Sequence, residues 1–250
     1  PSGPRLRIGV TGKYMGLRDA YKSIFEAITH GAISCDCDLE IRGIESEELE
    51  GGDTSKLEGL HGILVPGGFG YRGIEGKLVA VRYAREKGIP FLGICLGMQC
   101  AVIETARNLA GLSEANSSEF APDSPHPVIH LMEEQKSVTE KGGTMRRGQY
   151  PCRLSEGSLA RSAYAADEVS ERHRHRYEFN NEYKERLEEA GMVCSGVSPD
   201  GSLVEIVERP GHRWFLACQF HPEFTSTPLE PNPLFRAFLM AAREYGTERS

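Results

Sequence analysis

Cys95 lies in Gly93-Ile94-Cys95-Leu96-Gly97, with a glycine two places before and two places after a nucleophilic side chain. That spacing suits a sharp strand-to-helix turn, because glycines let two backbone segments approach where a Cβ would clash. Such a turn lifts the sulfur clear of the strand and sets it at a helix N-terminus, where the dipole favours the attacking thiolate. A thiolate used in this way needs a proton carrier and a group that orients the carrier. Gln219-Phe220-His221-Pro222-Glu223-Phe224 supplies both, with His221 126 residues downstream of Cys95. Glu223 would share one side of an extended segment with His221 and hold its imidazole in the useful tautomer. Pro66-Gly67-Gly68-Phe69-Gly70 is suited to aim backbone N–H groups at an oxyanion, and without a following Gly-Lys-Ser/Thr it is no phosphate loop. Each feature also has a plainer reading: a buried core cysteine, half of a metal site, a Gly-rich turn.

Arg172-His173-Arg174-His175-Arg176-Tyr177 packs three guanidiniums and two imidazoles into six positions. On a strand the arginines would share one face and His173 and His175 the other. The run is either a solvated edge strand or an anion-recognition element, since a guanidinium fork suits a carboxylate. Gln99 and Glu119 are suited to the ammonium end of an amino acid. Interleaved guanidiniums repel a cation from His173 and His175, so no metal is assigned.

These groups must be positioned by the elements around them. Leu6 to Val10, Leu39 to Ile44, His61 to Val65 and Pro90 to Ile94 read as strands. Helical patterns fall between them, at Asp19 to Thr29 and at Gly73 to Lys87, the latter closed by Gly88. A further helix from Gly97 to Ala110 carries Met98, Ala101, Val102, Thr105 and Leu109 inward. The alternation predicts an α/β fold: a mostly parallel central sheet flanked by helices, with ligands at the carboxyl ends of its strands. Gly67-Gly68 and Cys95 both fall there. Gly111 to Gly148 is irregular and reads as a lid or binding loop. Strands at Gln149 to Leu154, Val169 to Phe179, Val193 to Val197, Leu203 to Glu208 and Trp214 to Gln219 follow, with helices at Asn181 to Ala190 and Pro233 to Tyr245. They read as added, partly antiparallel structure of the same domain, 1–250.

The chain has 250 residues, 39% hydrophobic and 26% charged, which excludes disordered and fibrous classes. A formal net charge of −7 argues against broad binding to nucleic acid or to an anionic membrane. No apolar run approaches the roughly 20 residues of a membrane span. Seven cysteines without a CxxC pair suit reduced thiols of a cytoplasmic protein. The opening Pro1-Ser2-Gly3-Pro4 has neither Met nor a signal-peptide core and reads as the cut end of a longer chain.

The combination resembles the class I (triad-type) glutamine amidotransferases, and within them the amidotransferase domain of the CTP synthases. The broad class is carried by Gly93-Ile94-Cys95-Leu96-Gly97-Met98-Gln99 and His221-Pro222-Glu223; the narrower likeness by Gly67-Gly68-Phe69-Gly70-Tyr71-Arg72-Gly73, Gly142-Gly143-Thr144-Met145-Arg146 and Arg172 to Glu178. The resemblance implies a flavodoxin-like fold, with Cys95 as nucleophile, His221 as general base and acid, and Glu223 as its orienting partner. It implies an oxyanion hole at Gly68 and Leu96, and glutamine contacts at Gly68, Leu96, Gly97, Met98, Gln99, Glu119 and Arg176. It implies hydrolysis of L-glutamine to glutamate and ammonia with no cofactor in this domain. The ammonia would pass to a covalently linked N-terminal synthetase domain that aminates UTP with ATP and Mg²⁺, in a homotetramer activated by GTP through a lid around Lys136 to Arg147. Two other readings keep the same residues: a γ-glutamyl hydrolase or other cysteine hydrolase, and a non-catalytic regulatory module.

Overall fold

In the computed structural model, which describes residues 2–68, 71–131 and 145–249, the expected parallel sheet is built from the short apolar runs. β1 (Arg5–Gly12) pairs in parallel with β2 (Asp38–Glu45) on one side and β3 (Gly62–Val65) on the other. β3 pairs in parallel with β4 (Phe91–Ile94), whose other neighbour, also parallel, is β12 (Phe215–Cys218) from late in the chain. The order 2-1-3-4 followed by a late strand is the flavodoxin-like arrangement. The sheet continues antiparallel through β11 (Val204–Glu208), β10 (Val193–Val197), β7 (Arg146–Leu154) and β8 (Glu168–His175).

β3 and β4 are buried along their whole length, as central parallel strands covered on both faces must be. Alternation along them feeds two cores. Ile63, Val65 and Phe91 pack with α2 (Ile74–Lys87) and α3 (Leu96–Asn108). Leu64, Leu92 and Ile94 pack on the opposite face with α1 (Lys22–Ser34) and a late helix, Pro233–Thr247. Two short helices lie between, α4 (Leu159–Tyr164) and α5 (Lys184–Glu189), which makes the late helix α6.

Four sequence expectations need correction. The irregular stretch after Gly111 contains two strands, β5 (Ala115–Ser117) and β6 (His126–Leu131). The expected single strand over Val169 to Phe179 is two: β8 stays in the large sheet, while β9 (Tyr177–Phe179) crosses to pair with β6, and Arg176 is the residue at which the chain changes sheets. Leu109 is exposed, because α3 ends at Asn108 before the periodicity brings it inward. Finally, Pro222–Thr225 is a 3₁₀ turn instead of an extended segment, with Pro222 fixing the turn's first φ.

Gly97 meets the tightest constraint at the β4–α3 turn. A Cβ there would lie 2.0 Å from the Val65 carbonyl oxygen, a backbone atom with little freedom to move. Alanine ordinarily stabilises a helix by about 1 kcal/mol over glycine, whereas overpacking against backbone costs about 1–3 kcal/mol. Gly97→Ala is therefore expected to lower stability by up to about 2 kcal/mol, read as a lower urea midpoint with unchanged slope. A midpoint at or above that of the parent would show that α3 is not wedged against β3.

Candidate active site

Three adjacent strand ends converge on one cavity of about 550 Å³. β3 runs into Pro66-Gly67-Gly68, β4 into Cys95, and β12 into Gln219 and His221. The pairing of β12 with β4 closes the 126-residue separation: Cys218 is opposite Ile94, and the Cys95 N–H donates to the Cys218 carbonyl at 2.7 Å. Cys95 adopts φ +54° and ψ −105°, in the left-handed half of backbone space that an L-residue avoids. Such strain is tolerated when surrounding structure over-determines it, and here the glycines of the turn supply the room. A Cβ on Gly93 would sit 2.8 Å from the Gly97 carbonyl oxygen. A Cβ on Gly67 would sit 2.8 Å from His221 Cε1 and 3.4 Å from Cys95 Cβ, so this glycine is wedged where the two side chains meet.

His221 Nδ1 is 2.7 Å from Glu223 Oε1, across the 3₁₀ turn. The Phe224 ring stacks on the imidazole with centroids 5.0 Å apart. Burial works to discharge the imidazole, but hydrogen bonding to Cys95 and Glu223, and their charges, outweigh it and raise its pKa from 6.5 to about 10. The turn is tied to β8 in two ways. The His221 N–H donates to the Arg172 carbonyl at 2.8 Å. Buried Glu171 accepts hydrogen bonds from Thr225, Asn232 and Tyr164.

The other expected site residues divide. Gly68, Leu96, Gln99, Glu119 and Arg176 line the cavity, together with Met145 and Tyr177. As the first residue of α3, Leu96 has a backbone N–H without an intrahelical acceptor. Arg176 Nε is buried with no hydrogen-bond partner among the described residues. Gln99 Nε2 donates to the Tyr177 carbonyl and to Gln219 Oε1, both at 3.3 Å, so its amide nitrogen is engaged within the protein. Gly97 and Met98 do not line the cavity: Gly97 packs on β3 and Met98 is fully buried in the core beneath. Phe69, Gly70 and the lid segment from Lys136 to Thr144 lie outside the described residues.

The β8 alternation is as expected, with His173 and His175 buried and Arg172 and Arg174 exposed. The two imidazoles face each other, His173 Nδ1 to His175 Nε2 at 2.8 Å. Burial, aided by nearby positive charge, lowers the pKa of His173 to about 2 and that of His175 to about 3. Among the described residues no group of three or more His, Cys, Asp or Glu is arranged to hold a metal ion. Sequence reasoning missed Glu171, and Gln219 as anything more than a neighbour of His221. Neither sits in a pattern that marks it; only their partners do.

The sequence model of the class-I glutamine amidotransferases matches residues 17–241. The CTP synthase of Syntrophus aciditrophicus is 57% identical over 246 residues, 98% of this chain and 46% of that protein. That of Carboxydothermus hydrogenoformans is 59% identical over 236 residues, 94% of this chain and 44% of that protein. The chain thus spans a little under half the length of these curated relatives. The solved glutaminase domain of Trypanosoma brucei CTPS, with bound acivicin, superposes with a TM-score of 0.89 at 43% identity, covering 96% of this chain and 94% of that one. The crystal structure of a glutamine amidotransferase from Thermotoga maritima, 12% identical with a TM-score of 0.54 over 97% of this chain and 98% of that one, shares the fold. The resemblance drawn from the motifs and the fold class are borne out.

Folding raises the His221 pKa above 6.5, so its contribution to stability is fully present below about 6.5 and is lost as pH rises through about 10. Heteronuclear imidazole NMR at pH 7.5 should therefore find His221 as imidazolium and His173 and His175 neutral, and Glu223→Gln should lower the His221 titration. A neutral His221 at pH 7.5 would contradict this electrostatic assignment.

Proposed function

We infer the reaction from the family: the chain belongs to the class-I glutamine amidotransferases, as a glutaminase domain of the CTP synthase kind. The reading is carried by one observation, Cys95 on a strained turn beside an imidazole that Glu223 holds by Nδ1. Cys95 is the nucleophile, His221 the proton carrier and Glu223 its orienting partner.

Cys95 Sγ attacks the side-chain amide carbon of L-glutamine, and the carbonyl electron pair moves onto oxygen. The N–H groups of Gly68 and Leu96 stabilise that oxyanion. The imidazolium of His221 gives its proton to the amide nitrogen, the C–N bond breaks, and ammonia leaves a γ-glutamyl thioester. Water then loses a proton to His221 and attacks the thioester, releasing glutamate and the thiolate. Glu223 keeps Nδ1–H oriented, which leaves Nε2 to carry the proton. Arg176, at the point where the chain changes sheets, takes the substrate carboxylate. Glu119 and Gln99 take the ammonium end, and with the Gln99 amide nitrogen engaged its oxygen is the group available.

The ammonia feeds ATP-dependent amination of UTP to CTP, in an N-terminal synthetase domain belonging to the longer protein of which 1–250 is the amidotransferase domain. That protein works in the cytoplasm as a homotetramer with GTP as activator. None of the described residues is assigned to ATP, Mg²⁺ or GTP. Among the described residues no helix is long and apolar enough to cross a membrane.

Glutamine turnover, followed as glutamate and ammonia, tests the reading. The chain should hydrolyse L-glutamine slowly by itself and faster when joined to the remainder of the longer protein. Cys95→Ala should lower the rate by at least about 10³-fold. Retention of the rate in Cys95→Ala, or faster turnover of γ-glutamyl peptides than of glutamine, would overturn it.

A further inference from the structure

The sulfur of Cys95 has a second polar neighbour besides the imidazole. Gln219, the first residue past β12, is fully buried, and its Nε2 is 3.6 Å from Cys95 Sγ. Its backbone N–H donates to the Glu205 carbonyl at 2.8 Å, which ties it to the neighbouring β11. Which end of its amide faces the sulfur follows from the hydrogen bonds around it. The Tyr177 carbonyl can only accept, so the Gln99 group that meets it at 3.3 Å must be the NH₂. That same nitrogen lies 3.3 Å from the Gln219 side chain and must find an acceptor there, which places the Gln219 oxygen toward Gln99 and its NH₂ toward Cys95. A thiolate accepts from that donor. A neutral thiol must instead turn its proton away, toward the Arg174 carbonyl at 3.9 Å.

We propose that Gln219 is a catalytic residue of this site, a buried amide donor that stabilises the Cys95 thiolate and is held in the donating orientation by the relay from the Tyr177 carbonyl through Gln99. The proposal rests on Cys95 being the nucleophile. A donor fixed in a water-poor site needs no reorganisation as charge arrives on the sulfur, and it favours the charged form over the neutral one. Around the cavity the charged and titratable groups are His221 and Glu223 past β12, Cys218 on β12, Arg174 and His175 on β8, Arg176 and Tyr177 leading into β9, Glu119 past β5, and Asp19, Tyr21 and Lys22 leading into α1. All of them remain in place when Gln219 alone is changed.

The test is the pH dependence of iodoacetamide alkylation at Cys95, read on its peptide by mass spectrometry in the parent chain, Gln219→Met and Gln219→Asn. Methionine keeps the length and removes the donor; asparagine keeps the amide but falls one methylene short of the sulfur. Each variant is expected to raise the alkylation midpoint by about one pH unit, and to slow alkylation about tenfold at pH values below the parent midpoint. Should one variant fail to fold by circular dichroism, the other decides. A folded variant whose midpoint matches that of the parent overturns the proposal, because a merely structural glutamine would change melting temperature and leave the midpoint in place. Iodoacetamide reads Cys95 without any turnover of glutamine. The Gln219 proposal can therefore fail while glutamine hydrolysis stands, and absence of hydrolysis by the parent chain, with the midpoints shifted as expected in the variants, would strike the substrate assignment alone.

Discussion

The site depends on the parallel pairing of β4 with β12. Cys95 and His221 are far apart in the chain, and no local preference brings them together. One ladder does so, ending with the hydrogen bond from the Cys95 N–H to the Cys218 carbonyl at 2.7 Å. Because β3 pairs with the other edge of β4, the Gly67-Gly68 turn arrives on the opposite side at the same level. Strand order in the sheet thus sets which chemical groups share a cavity, and the short buried strands keep that order because both of their faces are covered.

A second constraint is that the ionisable groups behind the cavity sit away from water and must be kept in compatible charge states. Arg146 pairs with Glu205 and stands 3.7 Å from Glu178, while burial with the neighbouring Glu205 charge pushes Glu178 to about 8. Two neutral histidines fill the remaining space between these groups and His221. Their neutrality removes two positive charges that would otherwise compete with the imidazolium of His221. The strand that places them also carries the Arg174 carbonyl facing the sulfur, and it leads directly to Arg176 at the cavity wall. The run from Arg172 to Tyr177 is therefore both an edge strand and a wall of the site.

Much of this was legible in the sequence for specific physical reasons. The glycine spacing around Cys95 announces a turn that a Cβ would block, and the contact distances at Gly93 and Gly97 show the crowding. The period-two pattern of Arg172 to His175 gives the buried and exposed faces correctly, because side-chain alternation is a local property of a strand. Local patterns carry no information about which strands become neighbours, so the β4–β12 pairing could be required by the chemistry but not read. The change of sheet at Arg176 was hidden for the same reason: β9 follows its partner β6, and residues 177–179 alone do not reveal that partner. Pro222 turned an expected extended segment into a 3₁₀ turn, yet Glu223 still reached His221, since both geometries place the two side chains within reach. Gly97 and Met98 belong to the elbow string, and their side of the turn packs beneath the cavity without lining it.

The central claim is that one thiol of seven is made reactive by an imidazole brought to it through the sheet. Burial favours the neutral form of all six others: Cys100 and Cys194 are pushed up to about 12, and Cys35, Cys37, Cys152 and Cys218 are raised as well. The most direct measurement is the rate and position of covalent labelling by a glutamine-shaped electrophile, mapped by peptide mass spectrometry in the parent chain and in His221→Asn. The expected result is a single adduct on Cys95, protection by L-glutamine, and labelling slowed at least about tenfold in the variant. Labelling spread over other thiols, or an unchanged rate at Cys95 without the imidazole, would contradict it.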